Sequence, residues 1–324
     1  MASKSLGVNI LFFKGIGKGL MLKSLFFVFF QLQIIQMKNY FPFLLVISLL
    51  IVGCKKNNTG SGGSGGNGGG TPTVTTYTRK AYVEDFTGTW CGWCPLMSYT
   101  LEQKKNQHGT KFIFVGMHYG PTASQFDPYH SNSFLNLMNR YGINAFPTGL
   151  VNRQTVVSSS TLASNIDFAV AADSYVGIKM ETTLTGTDCS LKTTVRFGSD
   201  FKTKTVKLVL MLIEDGLRYN QVNYLANNSS YQSHPYYSAG NPMANYTHNG
   251  VYRRTISANL EGDVIPSAST GLGGEYVNTT LVNVTGIAAG KGKIVALVIN
   301  DTGSATSTQV LNAQEVAIGQ TQNF

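Results

Sequence analysis

The sequence predicts an α/β domain followed by an all-β sandwich, and three observations predict it. Strand-like and helix-like runs alternate between residues 77 and 173. From 174 to 324 that alternation stops, and short β-rich runs follow one another across turn residues. A Cys-Gly-Trp-Cys sequence at 91–94 stands where the first strand gives way to the first helix. Alternating strands and helices build a sheet with helices packed on it, whereas strands alone pack sheet on sheet.

The chain opens on a leader. Met37 to Cys54 reads MKNYFPFLLVISLLIVGC, with Lys38 as the positive end, an apolar run from Phe41 to Val52, and Gly53 before Cys54. That pattern is a secretory signal peptide rather than a spanning helix. Ile51-Val52-Gly53-Cys54 resembles a bacterial lipobox, which makes Cys54 the lipidated N-terminus and lipid on Cys54 the link to the membrane. Met37 reads as the true start, with a membrane hairpin over residues 1–36 as the alternative. The full chain has 25 basic and 16 acidic residues, a net charge of +9. Residues 1–53 hold Lys4, Lys14, Lys18, Lys23 and Lys38 and no acid, so without them the balance is 20 against 16, or +4. No cluster of Lys and Arg with interleaved aromatics remains, which excludes a nucleic-acid partner. Residues 54–76 begin KKNNTGSGGSGGNGGGT after the cysteine and form a flexible Gly/Ser-rich tether.

The first domain, 77–173, is expected to run strand (Ala81 to Phe86), helix (Pro95 to Gln107), strand (Lys111 to His118), helix (Asn132 to Tyr141), strand (Gly149 to Val151) and a final helix. That last helix is capped among Ser158 to Ser160 and places Leu162, Ile166 and Val170 on one face. The second domain, 174–324, is expected to carry strands at Val176–Leu184, Ser190–Phe197, Thr205–Ile213, Val251–Ile256, Tyr276–Val284, Lys293–Ile299 and Gln309–Val316. Strands of this length and spacing suggest an antiparallel sandwich of immunoglobulin-like type. A polar insertion, Leu217 to Asn249, interrupts them and carries Tyr219, Tyr224, Tyr231, Tyr236, Tyr237 and Tyr246. It reads either as a packed excursion that caps the fold or as a binding loop, since tyrosine supplies rigid amphipathic contact area.

Cys91 and Cys94, two residues apart at a helix start, form a redox-capable pair. The unpaired N–H groups of a helix N-terminus stabilise a thiolate on the first cysteine. Pro95 suits the first turn, where its missing N–H costs nothing. Asp85, six residues before Cys91, is placed to exchange protons with Cys94 if it is buried beneath the pair; otherwise it is a surface acid. Glu84 points to the opposite sheet face by strand alternation. Phe146-Pro147-Thr148 precedes a strand, so Pro147 is a candidate cis-proline beside the cysteines, or an ordinary turn. Cys189 is left over and reads as a buried small hydrophobe, with a resolving thiol as the alternative. Zinc needs about four ligands and the pair supplies two, so no metal is expected. No cofactor is expected beyond the redox-active disulfide itself.

DFTGTWCGWC with YGINAFPT downstream resembles the thioredoxin family. The resemblance implies that Cys91 is the attacking and Cys94 the resolving cysteine, Asp85 the buried acid, Trp90 the tryptophan before the site and Pro147 the cis-proline, flanked by Phe146 and Thr148. It departs at Trp93, where thioredoxin has proline after Gly92, and at Pro95. Trp93 leaves the direction of the reaction open. The whole layout is similar to the outer membrane protein 28-related lipoproteins of Bacteroidetes, which implies an outer-membrane lipoprotein. Acidic residues after the lipidated cysteine resemble a surface-export signal in that phylum. Lys55-Lys56-Asn57-Asn58 lacks them, so a periplasm-facing anchor is expected.

Two functions follow. One is a membrane-anchored thiol–disulfide oxidoreductase, with protein thiols or disulfides and an unidentified redox partner as its partners. The alternative is a non-catalytic outer-membrane binding or structural lipoprotein with a relic thioredoxin fold.

Overall fold

The strand Ala81–Thr87 is buried at every position, as a near-continuous apolar run demands of a central strand. It lies within residues 73–324, which are those described by the computed structural model. The expected leader over 1–53, the expected lipidation at Cys54 and the expected tether up to residue 72 lie outside the described residues. In chain order the first elements are β1 (Tyr77–Thr78), β2 (Ala81–Thr87), α1 (Cys94–His108), β3 (Phe112–His118), α2 (Leu135–Tyr141) and β4 (Thr148–Val151). Then come β5 (Thr155–Val157), α3 (Ser159–Val170) and β6 (Asp173–Ser174). β2 pairs in parallel with β3, Ala81 opposite Phe112, and antiparallel with β4, Phe86 opposite Thr148. A parallel pair needs a crossover, and α1 supplies it.

Two of these elements differ from the sequence expectation. α2 starts three residues later than Asn132, because the Ser131 N–H is held by the His118 carbonyl at 3.1 Å. β5 folds back on β4 through Asn152 and Arg153, both in left-handed conformations at φ 50° and 53°. Asn favours that region, whereas Arg does not, so the reversal was hidden from turn chemistry.

The remaining strands are β7 (Val176–Thr185), β8 (Asp188–Phe197), β9 (Val206–Glu214), β10 (Leu217–Gln221), β11 (Met243–His248) and β12 (Val251–Thr255). After them come β13 (Asp263–Val264), β14 (Glu275–Asn283), β15 (Gly292–Asn300), β16 (Gln309–Ala317) and β17 (Thr321–Gln322). Each of the seven β-rich runs read from residue 174 onward is a strand. β7 and β8 close through Gly186-Thr187, with Gly186 at φ 61°, the sign that a tight hairpin turn requires. β14, β8, β7 and β17 make a four-stranded sheet, and β16, β15, β9 and β12 belong to a nine-stranded one. Leu208, Leu210, Leu212, Ile294, Ala296 and Val298 pack against Ile178, Met180, Leu191 and Val195 between the two sheets. The fold is mostly β, built from several sheets, and its second half is a sandwich.

The nine-stranded sheet does not stop at residue 174. β12 pairs antiparallel with β9 and in parallel with β3, where the Gly116 N–H donates to the Gly250 carbonyl at 2.8 Å. The strand order is therefore β16-β15-β9-β12-β3-β2-β4-β5, one sheet through both expected domains. On one face α1 and α3 cover Ala81, Val83 and Phe112 with Met97, Leu101, Leu162 and Ile166. On the other, Leu137 and Met138 of α2 cover a continuous core that runs from Tyr82 and Phe86 to Val209, Met211, Val295 and Leu297. Leu217–Asn249 is neither a bare loop nor disordered: β10 and β11 pair within it, and it returns toward the start of α1.

Candidate functional site

α1 begins at Cys94, with Trp93 in the capping position and Pro95 in the first turn. Trp93 gives no side-chain capping bond, and within the turn Gly88–Cys94 the backbone bonds itself: Cys91 N–H to the Gly88 carbonyl at 3.0 Å and Cys94 N–H to the Cys91 carbonyl at 3.2 Å. The two sulfurs form a disulfide, Cys91–Cys94, with Cα atoms 5.4 Å apart. Trp90 donates its Nε1–H to the Tyr119 carbonyl at 2.7 Å and meets the Phe146 ring edge-on at 5.8 Å. Phe146-Pro147 is a cis peptide bond, and Thr148 Oγ1 donates to the Ala145 carbonyl at 2.7 Å. Phe146 thus lies against Trp90 of the cysteine turn, with Pro147 and Thr148 following it in the chain.

The insertion covers that turn. Val222 N–H donates to the Thr89 carbonyl at 2.8 Å and Tyr224 N–H to the Gly92 carbonyl at 2.9 Å. Gln221 Nε2 donates to the carbonyls of Cys91 at 2.9 Å and Gly88 at 3.2 Å. A Cβ at Gly92 would stand 2.4 Å from Cγ of Tyr224, so glycine is required there for the close approach. Trp93 meets Tyr224 at 5.7 Å and Tyr231 at 5.8 Å between ring centroids. Under this strap Cys91 is 4% exposed and Cys94 is fully buried. Nothing in the local sequence around either partner announces the contact; tyrosine enrichment in the insertion was the available signal.

Asp85 is buried, and burial raises its carboxyl pKa to about 7. Its Oδ1 has no hydrogen-bond partner. It opens onto a cavity of about 20 Å³ shared with Ser98 and Glu102 of α1, His118, Tyr246 and His248, room for roughly one water. Among the described residues no hydrogen bond ties Asp85 to either cysteine. His118 Nδ1 lies 2.8 Å from Asp127 Oδ2, which also accepts from Thr89 N–H at 2.8 Å. Burial opposes the Asp127 charge, but these bonds outweigh it and hold that carboxyl below its ordinary range. His248, buried against His118, is pushed down to about 4 and is neutral.

Glu84 faces the other side of the sheet, as alternation requires. There it accepts from Arg153 Nη2 at 2.6 Å and Nε at 3.0 Å, and both side chains are buried. Arg153 reaches on to the Leu260 carbonyl at 2.5 Å. This ion pair was missed by sequence reasoning, because an arginine after a strand ordinarily ends in solvent. Cys189 lies buried in the core between the two sheets, its thiol pKa raised by burial, away from the turn that holds the pair. No group of three or more His, Cys, Asp or Glu side chains suited to a metal ion occurs among the described residues.

Residues 135–322 match the family described as outer membrane protein Omp28; the match begins after the cysteine pair. No curated protein matches the chain. HBP35 of Porphyromonas gingivalis has a similar structure, with a TM-score of 0.59 and 17% identity over 75% of this chain and 76% of that one. A protein of Agrobacterium tumefaciens follows at a TM-score of 0.47 and 13% identity, over 77% of this chain and 99% of that one. The likeness to HBP35 is one of fold.

Proposed function

The chain belongs to the outer membrane protein Omp28 family, and on that premise we propose that it acts at the outer membrane as a non-catalytic binding or structural lipoprotein. In this reading lipid on Cys54 anchors it facing the periplasm, β2–α1–β3 with the β4–β5 hairpin and α3 is a relic thioredoxin-like unit, and Cys91–Cys94 is a permanent disulfide. The observation that carries it is the strap. Thiol–disulfide exchange needs a thiolate to approach a sulfur in line, and Gln221 to Tyr224 bind the backbone of the cysteine turn over a Cys91 that is 4% exposed.

The test is reduction of the native full chain by dithiothreitol, followed by alkylation, beside an insulin-reduction assay. A disulfide that yields only in denaturant, with no turnover, supports the reading. Turnover abolished by Cys91→Ser overturns it.

A second reading, an oxidoreductase on protein thiols and disulfides with an unidentified dithiol partner, is favoured by Asp85. A buried carboxyl with pKa about 7, one unpartnered oxygen and a cavity reaching Ser98, one turn after Cys94, suits a proton exchanger. Cys91 thiolate would attack a substrate disulfide and release one substrate thiolate. Cys94, its proton lost to Asp85, would then attack Cys91 and release the second. The substrate gains two electrons, and the dithiol partner restores the pair. Such a cycle requires the strap to lift.

A further inference from the structure

The strap that covers the cysteines also builds an exposed surface of its own. Trp93 is 41% and Tyr224 49% exposed, and their rings stand at 83° to one another. Tyr231, half-buried, leans on Trp93 at 49°. Three rings at such angles form an open cradle rather than a closed stack. Leaving large rings in water forgoes the burial that normally stabilises them, so a contiguous set marks a contact surface.

The cradle is held in shape by the backbone. Tyr224 N–H is bound to the Gly92 carbonyl, and Tyr231 N–H to the Asn228 carbonyl at 2.8 Å. Asn228 further receives Ser230 N–H at 3.1 Å and donates to the Tyr224 carbonyl at 3.3 Å. Buried Asn223 holds the base of the arm through the carbonyls of Tyr236 at 2.9 Å and Gly240 at 3.0 Å. A surface ordered before its ligand arrives loses less entropy on binding.

Charge is absent. Residues 86–101, which carry Trp93, and 219–252, which carry Tyr224 and Tyr231, contain no Lys, Arg, Asp or Glu. His234, the histidine nearest the cradle in sequence, is shifted toward the neutral form by burial. What surrounds the rings is amide and hydroxyl: Asn227, Ser229, Gln232 and Ser233 are all exposed. Neither segment offers a cation to an anionic lipid headgroup or phosphate. Trp and Tyr anchor protein interfaces as well, but a stable protein interface takes about 800 Å² and roughly 20–30 residues a side. This cradle is three rings, the scale of one or two sugar units.

We propose that the Trp93–Tyr224–Tyr231 cradle is a binding site for a neutral oligosaccharide. The C–H face of a pyranose carries weak positive potential and stacks on the negative face of an aromatic ring. Its hydroxyls exchange water for the amides and hydroxyls at the rim. A sugar needs both kinds of group and no charge, and this surface supplies that combination. The inference rests on the chain being a binding protein, and it names the class of ligand.

The experiment is an array of neutral and charged oligosaccharides probed with the full chain, followed by titration of the retained sugars by isothermal calorimetry. Retention of neutral glycans is expected, with a loss of roughly tenfold or more in Trp93→Ala and in Tyr231→Ala. Both side chains reach the surface, so both variants fold, which thermal melting checks. Retention of no neutral glycan, retention of charged ones only, or affinity unchanged in both variants overturns the proposal. So does preferential capture of uncharged peptides arrayed beside the sugars. The array reads no thiol chemistry, so it can fail while the disulfide remains inert, and insulin turnover can appear while sugars still bind.

Discussion

The ring of Tyr224 occupies the space that a side chain at Gly92 would need, while its N–H is bound to the Gly92 carbonyl at 2.9 Å. One residue inside the CGWC motif is thus matched to one residue of the tyrosine-rich insertion. The identity of each limits the other, and the accessibility of the disulfide depends on both.

Replacing Gly92 with alanine places a methyl group 2.4 Å from Tyr224 Cγ, an atom near the backbone that cannot swing aside alone. Gly92→Ala is expected to destabilise the protein by about 1–3 kcal/mol and to speed reduction of Cys91–Cys94 by dithiothreitol. Adding Tyr224→Ala relieves the clash, so the double variant regains stability while staying easy to reduce. Urea denaturation and alkylation kinetics report the two effects separately.

Asp85 should write a pH dependence into stability. Its folded pKa, about 7, lies above that of an unfolded aspartate. A raised pKa means that the neutral form is favoured in the fold. The stability it confers is complete below pH 4, declines as pH rises toward 7, and is lost above that. Asp85→Asn is expected to remove this slope and to make the protein more stable than wild type at pH 8, by up to about 4 kcal/mol. Denaturation midpoints between pH 4 and pH 8 measure it, and parallel curves for the two proteins would refute it.

Glu84 and Arg153 are both buried, with bonds of 2.6 and 3.0 Å. Glu84→Gln strands a buried guanidinium and should cost about 3–5 kcal/mol. Replacing both with leucine removes both charges and should recover a large part of that loss. Equilibrium unfolding of the single and double variants decides it.

Asn223 is expected to act locally. Its side chain holds the carbonyls of Tyr236 and Gly240, and its Oδ1 accepts Leu225 N–H at 3.1 Å. Asn223→Ala should accelerate amide hydrogen exchange across Gln221 to Asn249 while β2, β3 and β9 keep their protection. Uniform acceleration throughout the sheet would mean that the arm is part of the global core.

Much of this molecule was legible from local pattern. The apolar run from Ala81 marks a central strand, Pro95 marks a first turn, and Gly186-Thr187 marks a hairpin, because each signal acts within a few residues. Alternation along β2 also separated Glu84 from Asp85, one facing Arg153 and the other the cavity beside Ser98. The relationships that went unread join distant segments. Arg153 could be placed only once β4 brought it beside β2, and the parallel seam of β12 with β3 only once Gly250 met Gly116.

By itself, then, the sequence determined the kinds of element, their order, and the meeting of two cysteines at a helix start. These follow from periodicity, turn chemistry and capping, which are short-range. Tertiary structure alone decided that one sheet runs through both halves and that the cysteine turn lies beneath Gln221 to Tyr224. Gln221 is 130 residues from Cys91 along the chain, and local preferences, which act over a few residues, cannot encode a contact across that separation.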